Sequence, residues 1–118
     1  MTAAQSTSLP GAADAPTRSQ LLGDIRALAD FLHANPDLPI SPYGGLDVVF
    51  FPPGDDEAQA GQVARVCELL GALPRREGEH YTVERRIGRA AYRVVAIPAE
   101  ARARYRALMS YADAVRPE

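Results

Sequence analysis

The sequence has few of the residues that characterise secreted, redox-active or metal-binding proteins. It contains no lysine, so that all 13 basic residues are arginines, and it contains no tryptophan. Cys67 is the single cysteine among 118 residues. A lone cysteine excludes an intrachain disulfide, which suits a reducing compartment, and we therefore expect a cytoplasmic protein.

Long apolar runs are also missing. No stretch approaches the roughly 18 apolar residues of a membrane-spanning helix. Residues 1–16 have neither the basic start nor the apolar run of a signal peptide, and they hold too little apolar surface to offset the entropy cost of ordering. We expect no membrane partner, a flexible leader over residues 1–16, and one α+β domain over residues 17–116.

Charge is unevenly distributed along the chain. Residues 1–72 hold three arginines and nine acids, whereas residues 73–118 hold ten arginines and six acids. A basic half of this kind occurs in proteins that bind nucleic acids. Because glutamates are interspersed among these arginines, a solvated surface of mixed charge is the favoured interpretation.

Three segments have helical periodicity. The first is expected over residues 19–34 with Thr17 as its cap, the second begins at the cap Asp56 and ends near Gly71, and the third begins with Pro98 in its first turn. On each helix the apolar residues recur every three or four positions and form one stripe. The stripes comprise Leu21, Leu22, Ile25, Leu28, Ala29 and Leu32; Val63, Val66, Cys67 and Leu70; and Ala101, Tyr105, Leu108 and Ala112.

Two segments are typical of β-structure. Residues 46–51 end in four apolar residues without alternation, which predicts a strand buried on both faces. Residues 80–97 alternate between apolar and polar and are interrupted by Gly88-Arg89, which predicts a hairpin with a two-residue turn. Pairing Ile87 with Ala90 sets the register, and this register places Glu84 opposite Arg93.

The alternation assigns one face of this hairpin to the core and the other to solvent. Arg85 is the exception on the apolar face. The predicted core residues are Tyr81, Val83, Ile87, Ala90, Tyr92, Val94 and Ala96, and the opposite face holds His80, Thr82, Glu84, Arg86, Ala91, Arg93, Val95 and Ile97.

The order of elements is α-β-α-β-β-α. The simplest arrangement is an α+β fold with a three-stranded, mainly antiparallel sheet and helices packed on one face. We prefer the strand order 2-3-1, in which the last strand lies in the middle and is antiparallel to both others.

Two stretches of the chain resemble a known group of proteins. LADFLHANPDLP at residues 28–39 is similar to the opening helix of small uncharacterised proteins common on actinobacterial phages and integrated mobile elements. YTVERRIG at residues 81–88, followed by AYRV at residues 91–94, resembles their hairpin. The likeness covers about residues 20–97. It implies an accessory protein of a mobile element or its host, and it brings no catalytic residue to this chain.

The residues that could support catalysis do not form a recognisable site. His33, Cys67 and His80 lie on three different elements and lack the spacing of metal ligands. No serine lies in the glycine-flanked turn of a hydrolase nucleophile. The acids of residues 55–57 stand at a helix start, where capping is their usual role and where they would repel a phosphate. We expect no catalytic residue, no metal and no cofactor, and hence no enzyme.

Nucleic-acid binding is the alternative that the arginines suggest. Six of them lie in residues 75–93, on and before the hairpin, and a two-stranded ribbon can enter a major groove. Tyr81 and Tyr92 could stack on unpaired bases, although their face is assigned to the core. The candidate contacts with nucleic acid or a partner are Arg75, Arg76, Arg86, Arg89 and Arg93.

Protein association is the leading hypothesis. Val95 and Ile97 interrupt the polar face of the hairpin, and the strand at residues 46–51 can lie at a sheet edge, where backbone groups pair with other chains. We therefore interpret the chain as a small non-enzymatic accessory or regulatory protein that binds a protein partner or a second copy of itself. A DNA- or RNA-binding regulator is the alternative.

Overall fold

The computed structural model describes the backbone of residues 9–114 and the side chains of residues 9–109. The first eight residues of the predicted leader lie outside these limits. The chain forms two compact units, Met1–Gly45 and Leu46–Glu118. Among the described residues, no helix combines the length and the apolarity needed to cross a bilayer.

The first unit is built around helix α1, which spans Ala15–Ala34. Asp14 caps this helix, because its Oδ1 accepts a hydrogen bond from the Thr17 N–H at 2.8 Å. Pro16 fits the first turn, where no N–H is needed. The predicted cap at Thr17 is therefore wrong, since this aspartate and proline start the helix one turn earlier. The predicted end of the helix is confirmed, with Asn35 as the C-cap.

The second unit is a four-stranded sheet with two helices. The strands lie in the order β1-β4-β3-β2. β4 is parallel to β1 and antiparallel to β3, and β2 is antiparallel to β3. The predicted α+β class is confirmed. In chain order the elements are β1 (Leu46–Phe50), α2 (Asp56–Leu70), β2 (Arg75–Glu77), β3 (His80–Ile87), β4 (Ala90–Ala96) and α3 (Ala99–Ala114).

This sheet differs from the predicted three-stranded one in two respects. β2 adds a strand at the edge beside β3, where the sequence predicted a connection. β4 lies in the middle, as the order 2-3-1 requires, but it is parallel to β1 rather than antiparallel. The additional strand explains the direction: after α2 returns the chain, β2, β3 and β4 alternate in direction, so β4 regains the direction of β1.

The β3–β4 hairpin has the predicted register. Ile87 pairs with Ala90, and Glu84 pairs with Arg93. Gly88 opens the turn with a φ of 59°, a conformation that glycine adopts without the steric cost of a side chain. The short glycine turn and the alternation therefore agree on one pairing.

Burial of the hairpin varies along its length as well as between its faces. On the predicted core face three residues are buried, namely Val83, Val94 and Ala96, and four are exposed, namely Tyr81, Ile87, Ala90 and Tyr92. On the opposite face, predicted to meet solvent, three residues are buried: Thr82, Ala91 and Val95. The assignment of faces is thus wrong for these exposed and buried residues, because the middle of the sheet is covered on both faces and its ends are open.

β1 is less buried than its apolar sequence predicts. Val48 and Phe50 are half-buried, and its other residues are exposed. The prediction that both faces are covered is wrong because β1 is an edge strand, with β4 as its only neighbour in the sheet of the described residues.

Helix α2 packs on β3 and β4 with the face predicted from its periodicity. Val63 and Val66 on that face are buried. Asp55, and not Asp56, caps the helix by accepting a hydrogen bond at 2.8 Å from the N–H three residues on. Asp56 is instead the first residue of the helix, and its Oδ1 accepts the Ala99 N–H at 2.7 Å, which ties the start of α3 to the start of α2.

Helix α3 leaves most of its predicted inner stripe open. Ala101 is half-buried, but Tyr105 is 66% exposed and Leu108 is 67% exposed. Ala112 lies beyond the described side chains. The expectation that α3 covers the core is wrong for Tyr105 and Leu108, since α2 is the helix that packs on the hairpin.

Candidate functional site

The five arginines predicted as contact residues do not share one face of the sheet. Side chains alternate between faces along a strand, so the register assigns each arginine to a face. Arg75, Arg86 and Arg93 lie on the same face as Thr82 and Val95, and Arg76 lies on the opposite one. Arg89 occupies the hairpin turn.

Three of these arginines form a polar cluster with three acids, which we define as Arg75, Arg86, Arg93, Asp47, Glu77 and Glu84. Its shortest contacts join Glu77 to Arg93 Nη2 at 2.8 Å and to Arg75 Nη2 at 2.8 Å. Glu84 lies 3.3 Å from Arg93 Nε, without hydrogen-bond geometry, and 3.6 Å from Arg86 Nε. Because the formal charges balance and every strand contributes a residue, the polar cluster holds the sheet together rather than presenting free positive charge.

Glu77 is the member of the polar cluster whose acidity is altered. A hydrogen bond from Arg75, together with the charges of Arg93 and Arg75, holds the pKa of Glu77 below its ordinary value despite partial desolvation. Glu77 is therefore ionised over the whole neutral range and keeps both guanidinium groups engaged.

The two tyrosines considered for base stacking are exposed, and they lie on either side of Val83 and Val94 on the sheet face opposite to the polar cluster. Tyr81 is 42% exposed and pairs with Arg76, and Tyr92 is 37% exposed and pairs with Arg85. The buried pair Val83 and Val94 lies between these two positions. The arrangement gives two separate tyrosine–arginine pairs and no continuous stacking platform.

The residues considered for catalysis have structural roles or none. Cys67 is half-buried, and desolvation raises the pKa of its thiol, which lowers the fraction of reactive thiolate. Asp55 and Asp56 accept backbone N–H groups at the starts of two helices. Within the described residues, no group of three or more His, Cys, Asp or Glu side chains could hold a metal ion.

A groove runs between α3 and the ends of β2, β3 and β4, and we call it the α3 groove. Its volume is about 750 Å³, within the range of small-ligand sites. Its apolar lining consists of Phe51, Ile97, Ala101 and Tyr105. Its charged and polar lining consists of Glu77, Glu79, His80, Arg102 and Arg106. A second pocket, between α2 and the β2–β3 turn, measures only about 190 Å³.

Contacts at the start of α3 hold one wall of the α3 groove in place. Arg102 Nη2 donates to the Gly54 carbonyl at 3.2 Å, and Gln59 Nε2 donates to the same oxygen at 2.9 Å. Arg104 forms an ion pair with Glu79 in the β2–β3 turn. Gly54 has a φ of 99°, and a Cβ there would lie 2.9 Å from the Ala58 Cβ, so glycine is required at this junction.

The α3 groove was not predicted from the sequence, although two of its lining residues, Arg102 and Arg106, belong to the predicted third helix. They lie one turn apart, as do Ala101 and Tyr105, so the two pairs run side by side along α3. This adjacency of a basic and an apolar row was readable in the sequence. The facing wall of the groove was not predictable, because it comes from strand β2 and the turn that follows it, and the sequence had predicted a connection there.

Helix α1 carries an apolar stripe whose residues are exposed or half-buried. None of its residues is buried. We define the α1 stripe as Leu21, Ile25, Leu28 and Leu32; Leu21 is 47% exposed, Leu28 is 51% exposed, and the other two are half-buried. An amphipathic helix of 20 residues with an open apolar face is a typical protein-binding element.

Comparison with known proteins provides no further assignment. No family model, no curated protein and no solved structure matches this chain. The function is therefore argued from the residues and contacts of the chain itself.

Proposed function

We propose that this protein is a non-enzymatic protein–protein interaction module that associates with a second copy of itself through α1. The observation that supports this proposal is the α1 stripe, which lies on a helix with no buried residue. Apolar stripes of this kind are stable in water when another surface covers them, because burial of a leucine side chain contributes about 1.5–3 kcal/mol. The stripe therefore favours association.

The spacing within the α1 stripe favours a second copy as the partner. Its residues are separated by four, three and four positions, which matches the 3.5-residue repeat of a two-stranded coiled coil. This spacing reads the same in both directions along the helix. Two antiparallel copies can thus pair Leu21 with Leu32 of the partner and Ile25 with Leu28 of the partner, as a self-complementary two-fold interface requires.

Charge favours the antiparallel orientation over the parallel one. Arg18 occupies the next position of the same repeat, before Leu21. In a parallel pair the two Arg18 side chains would meet, and like charges at such a position oppose association. In the antiparallel pair each Arg18 lies near Asn35 of the other copy, which carries no charge.

The resemblance at residues 28–39 extends this proposal to a biological setting. The similar proteins are uncharacterised and common on actinobacterial phages and integrated mobile elements, and the similar stretch includes Leu28 and Leu32 of the α1 stripe. We place the self-associating module in the same setting, as an accessory or regulatory protein.

Light scattering coupled to size-exclusion chromatography tests the proposal directly. We expect the chain to elute with about twice its mass of 12.7 kDa at micromolar concentrations. Leu28→Glu places a charge in the interface and should produce a monomer with unchanged helical content. Ala27→Glu adds the same charge to the same helix at an exposed position beside the stripe, and this control should remain dimeric.

Two results would contradict self-association. One is a monomeric parent protein at millimolar concentration. The other is a Leu28→Glu variant that stays dimeric, because the interface would then lie elsewhere. A monomeric parent that unfolds when Leu28 is replaced would mean that the stripe packs within its own chain.

Regulation through DNA or RNA binding remains the alternative proposal and has less support. Arg75, Arg86 and Arg93 are paired with carboxylates in the polar cluster, which leaves fewer charges to displace counterions from a phosphate backbone. A salt-sensitive shift of a labelled oligonucleotide would favour this alternative, particularly if Arg76→Gln abolished the shift.

A further inference from the structure

We propose that the α3 groove binds a small amphipathic carboxylate, a molecule with an apolar body and one anionic head. The site uses residues of the second unit only and shares none with the α1 stripe, so it goes beyond the proposed function and stands apart from it.

The apolar lining provides for the body of the ligand. Phe51, Ile97, Ala101 and Tyr105 converge in one groove, and Phe51 and Tyr105 are each more than half exposed. Water on this surface is released when an apolar ligand replaces it, which favours binding in proportion to the apolar area that is covered. The volume of about 750 Å³ suits a molecule of drug size rather than a protein helix.

The acidic wall of the α3 groove is already neutralised. Glu77 accepts hydrogen bonds from Arg75 and Arg93, and Glu79 is paired with Arg104. A cationic ligand would have to compete with these guanidinium groups for the same oxygens. The acidic wall therefore offers little attraction to a positive head group.

The basic wall is not neutralised. Arg102 and Arg106 make no ion pair with a carboxylate of the described residues. Arg102 uses one nitrogen for the Gly54 carbonyl, and its Nε is buried without a hydrogen-bond partner. An anion in the groove would meet positive charge that no carboxylate of the described residues balances.

The spacing of the two arginines fits a carboxylate head. Residues four apart on a helix lie on the same face, and both Arg102 and Arg106 line the α3 groove. Planar guanidinium groups bind carboxylate oxygens in pairs of parallel hydrogen bonds. The head thus lies along α3, and the apolar body extends towards Phe51 and Ile97.

Calorimetric titration of the full chain with defined probes tests this site. Decanoate and 2-naphthoate carry the carboxylate on an aliphatic and on an aromatic body, and binding of either supports the proposal and identifies the body that fits. Decyltrimethylammonium carries the same aliphatic chain as decanoate with the opposite charge, and we expect it to bind at least tenfold more weakly.

Two variants and one matched control locate the binding. Arg106→Gln should weaken binding of the carboxylate by about tenfold, since it removes a charge-assisted hydrogen bond to the head group. Ala101→Phe should fill the apolar lining and abolish binding. Arg65→Gln removes an exposed arginine of α2 that pairs with Glu68, and its affinity should equal that of the parent protein.

Three outcomes would overturn the proposal. The first is that neither carboxylate binds. The second is that the cationic probe binds as tightly as decanoate. The third is that Arg106→Gln and Ala101→Phe, shown by circular dichroism to be folded, bind with the affinity of the parent. None of these outcomes affects the α1 proposal, because the dimer assay uses different residues and a different measurement.

Discussion

Helices α1 and α2 begin in the same way and differ in what they bury. Each is capped by an aspartate whose Oδ1 accepts a backbone N–H at 2.8 Å, and each carries an apolar stripe. α2 buries four residues, and α1 buries none. The four are Gln59, Gln62, Val63 and Val66. Periodicity therefore identifies the face of a helix that can be buried, whereas the partner of that face depends on the rest of the fold.

The buried glutamine Gln59 shows how side-chain hydrogen bonds fix α2 to the rest of its unit. Gln59 is 3% exposed, donates to the Gly54 carbonyl at 2.9 Å and accepts the Ile97 N–H at 3.0 Å. Its amide thus joins α2 to the loop before it and to the end of β4. On α1, Gln20 donates to Asp24 of the same helix at 2.9 Å, and Asn35 at its end donates to the Phe31 carbonyl at 2.8 Å.

The largest expected effect comes from placing a charge on each apolar stripe. Val66→Glu buries an unpaired carboxylate under the sheet and should cost about 4 kcal/mol of unfolding free energy or more. Leu28→Glu should change the unfolding free energy of the monomer by no more than about 0.5 kcal/mol, because that side chain is half exposed. Urea denaturation at a concentration where the protein is monomeric measures both. Equal losses would mean that α1 and α2 are equally buried, and the comparison would fail.

A smaller effect is expected within α2 itself. Gln59→Leu leaves the Gly54 carbonyl and the Ile97 N–H without their partner and should cost about 1–3 kcal/mol. Gln62→Leu is the matched control: Gln62 is also buried, but its amide oxygen has no partner and its nitrogen lies 3.5 Å from the Pro53 carbonyl. We expect this control to change stability by less than about 0.5 kcal/mol in denaturant titrations. A larger loss of unfolding free energy for Gln62→Leu than for Gln59→Leu would show that the Gln59 amide does not anchor the helix.

The smallest effect concerns acid stability of the sheet. The pKa of Glu77 is lowered mainly by the Arg75 hydrogen bond, so its stabilisation is complete above the ordinary carboxyl pKa of about 4.3 and is lost as the pH falls through the lowered value. Glu77→Gln should flatten the dependence of the melting temperature on pH between about pH 5 and pH 3. Glu68→Gln, which removes an exposed pair on α2, should leave the dependence unchanged. If the melting temperatures of Glu77→Gln and of the parent protein fell equally with pH, Glu77 would not contribute to acid stability.

The β3–β4 hairpin was predictable because independent local signals agreed. Gly88 supplied the turn, and the alternation on both sides supplied the register, so the pairing of Glu84 with Arg93 followed. The α2 stripe and the helix end at Gly71 were predictable for the same reason. In each case neighbouring residues contain all the information that the structure uses.

The remaining features depend on distant partners. β2 consists of two arginines and a glutamate, and these residues pair as a strand because β3 offers them an edge and the polar cluster binds the charges of Arg75 and Glu77. The parallel direction of β4 followed from this missed strand. The α3 groove was missed as well, since one wall is the turn that follows β2.

The central position of β4 has a consequence for how the chain assembles as it leaves the ribosome. Leu46 pairs with Ala90, more than forty positions later, so β1 has no neighbour in the sheet until synthesis reaches the last strand. Translation proceeds at between about 5 and 20 residues each second. During the synthesis of residues 51–89 the backbone groups of β1 therefore have no strand to pair with. Slowing synthesis between β1 and β4 would prolong the period in which the unpaired edge of β1 can pair with other nascent chains.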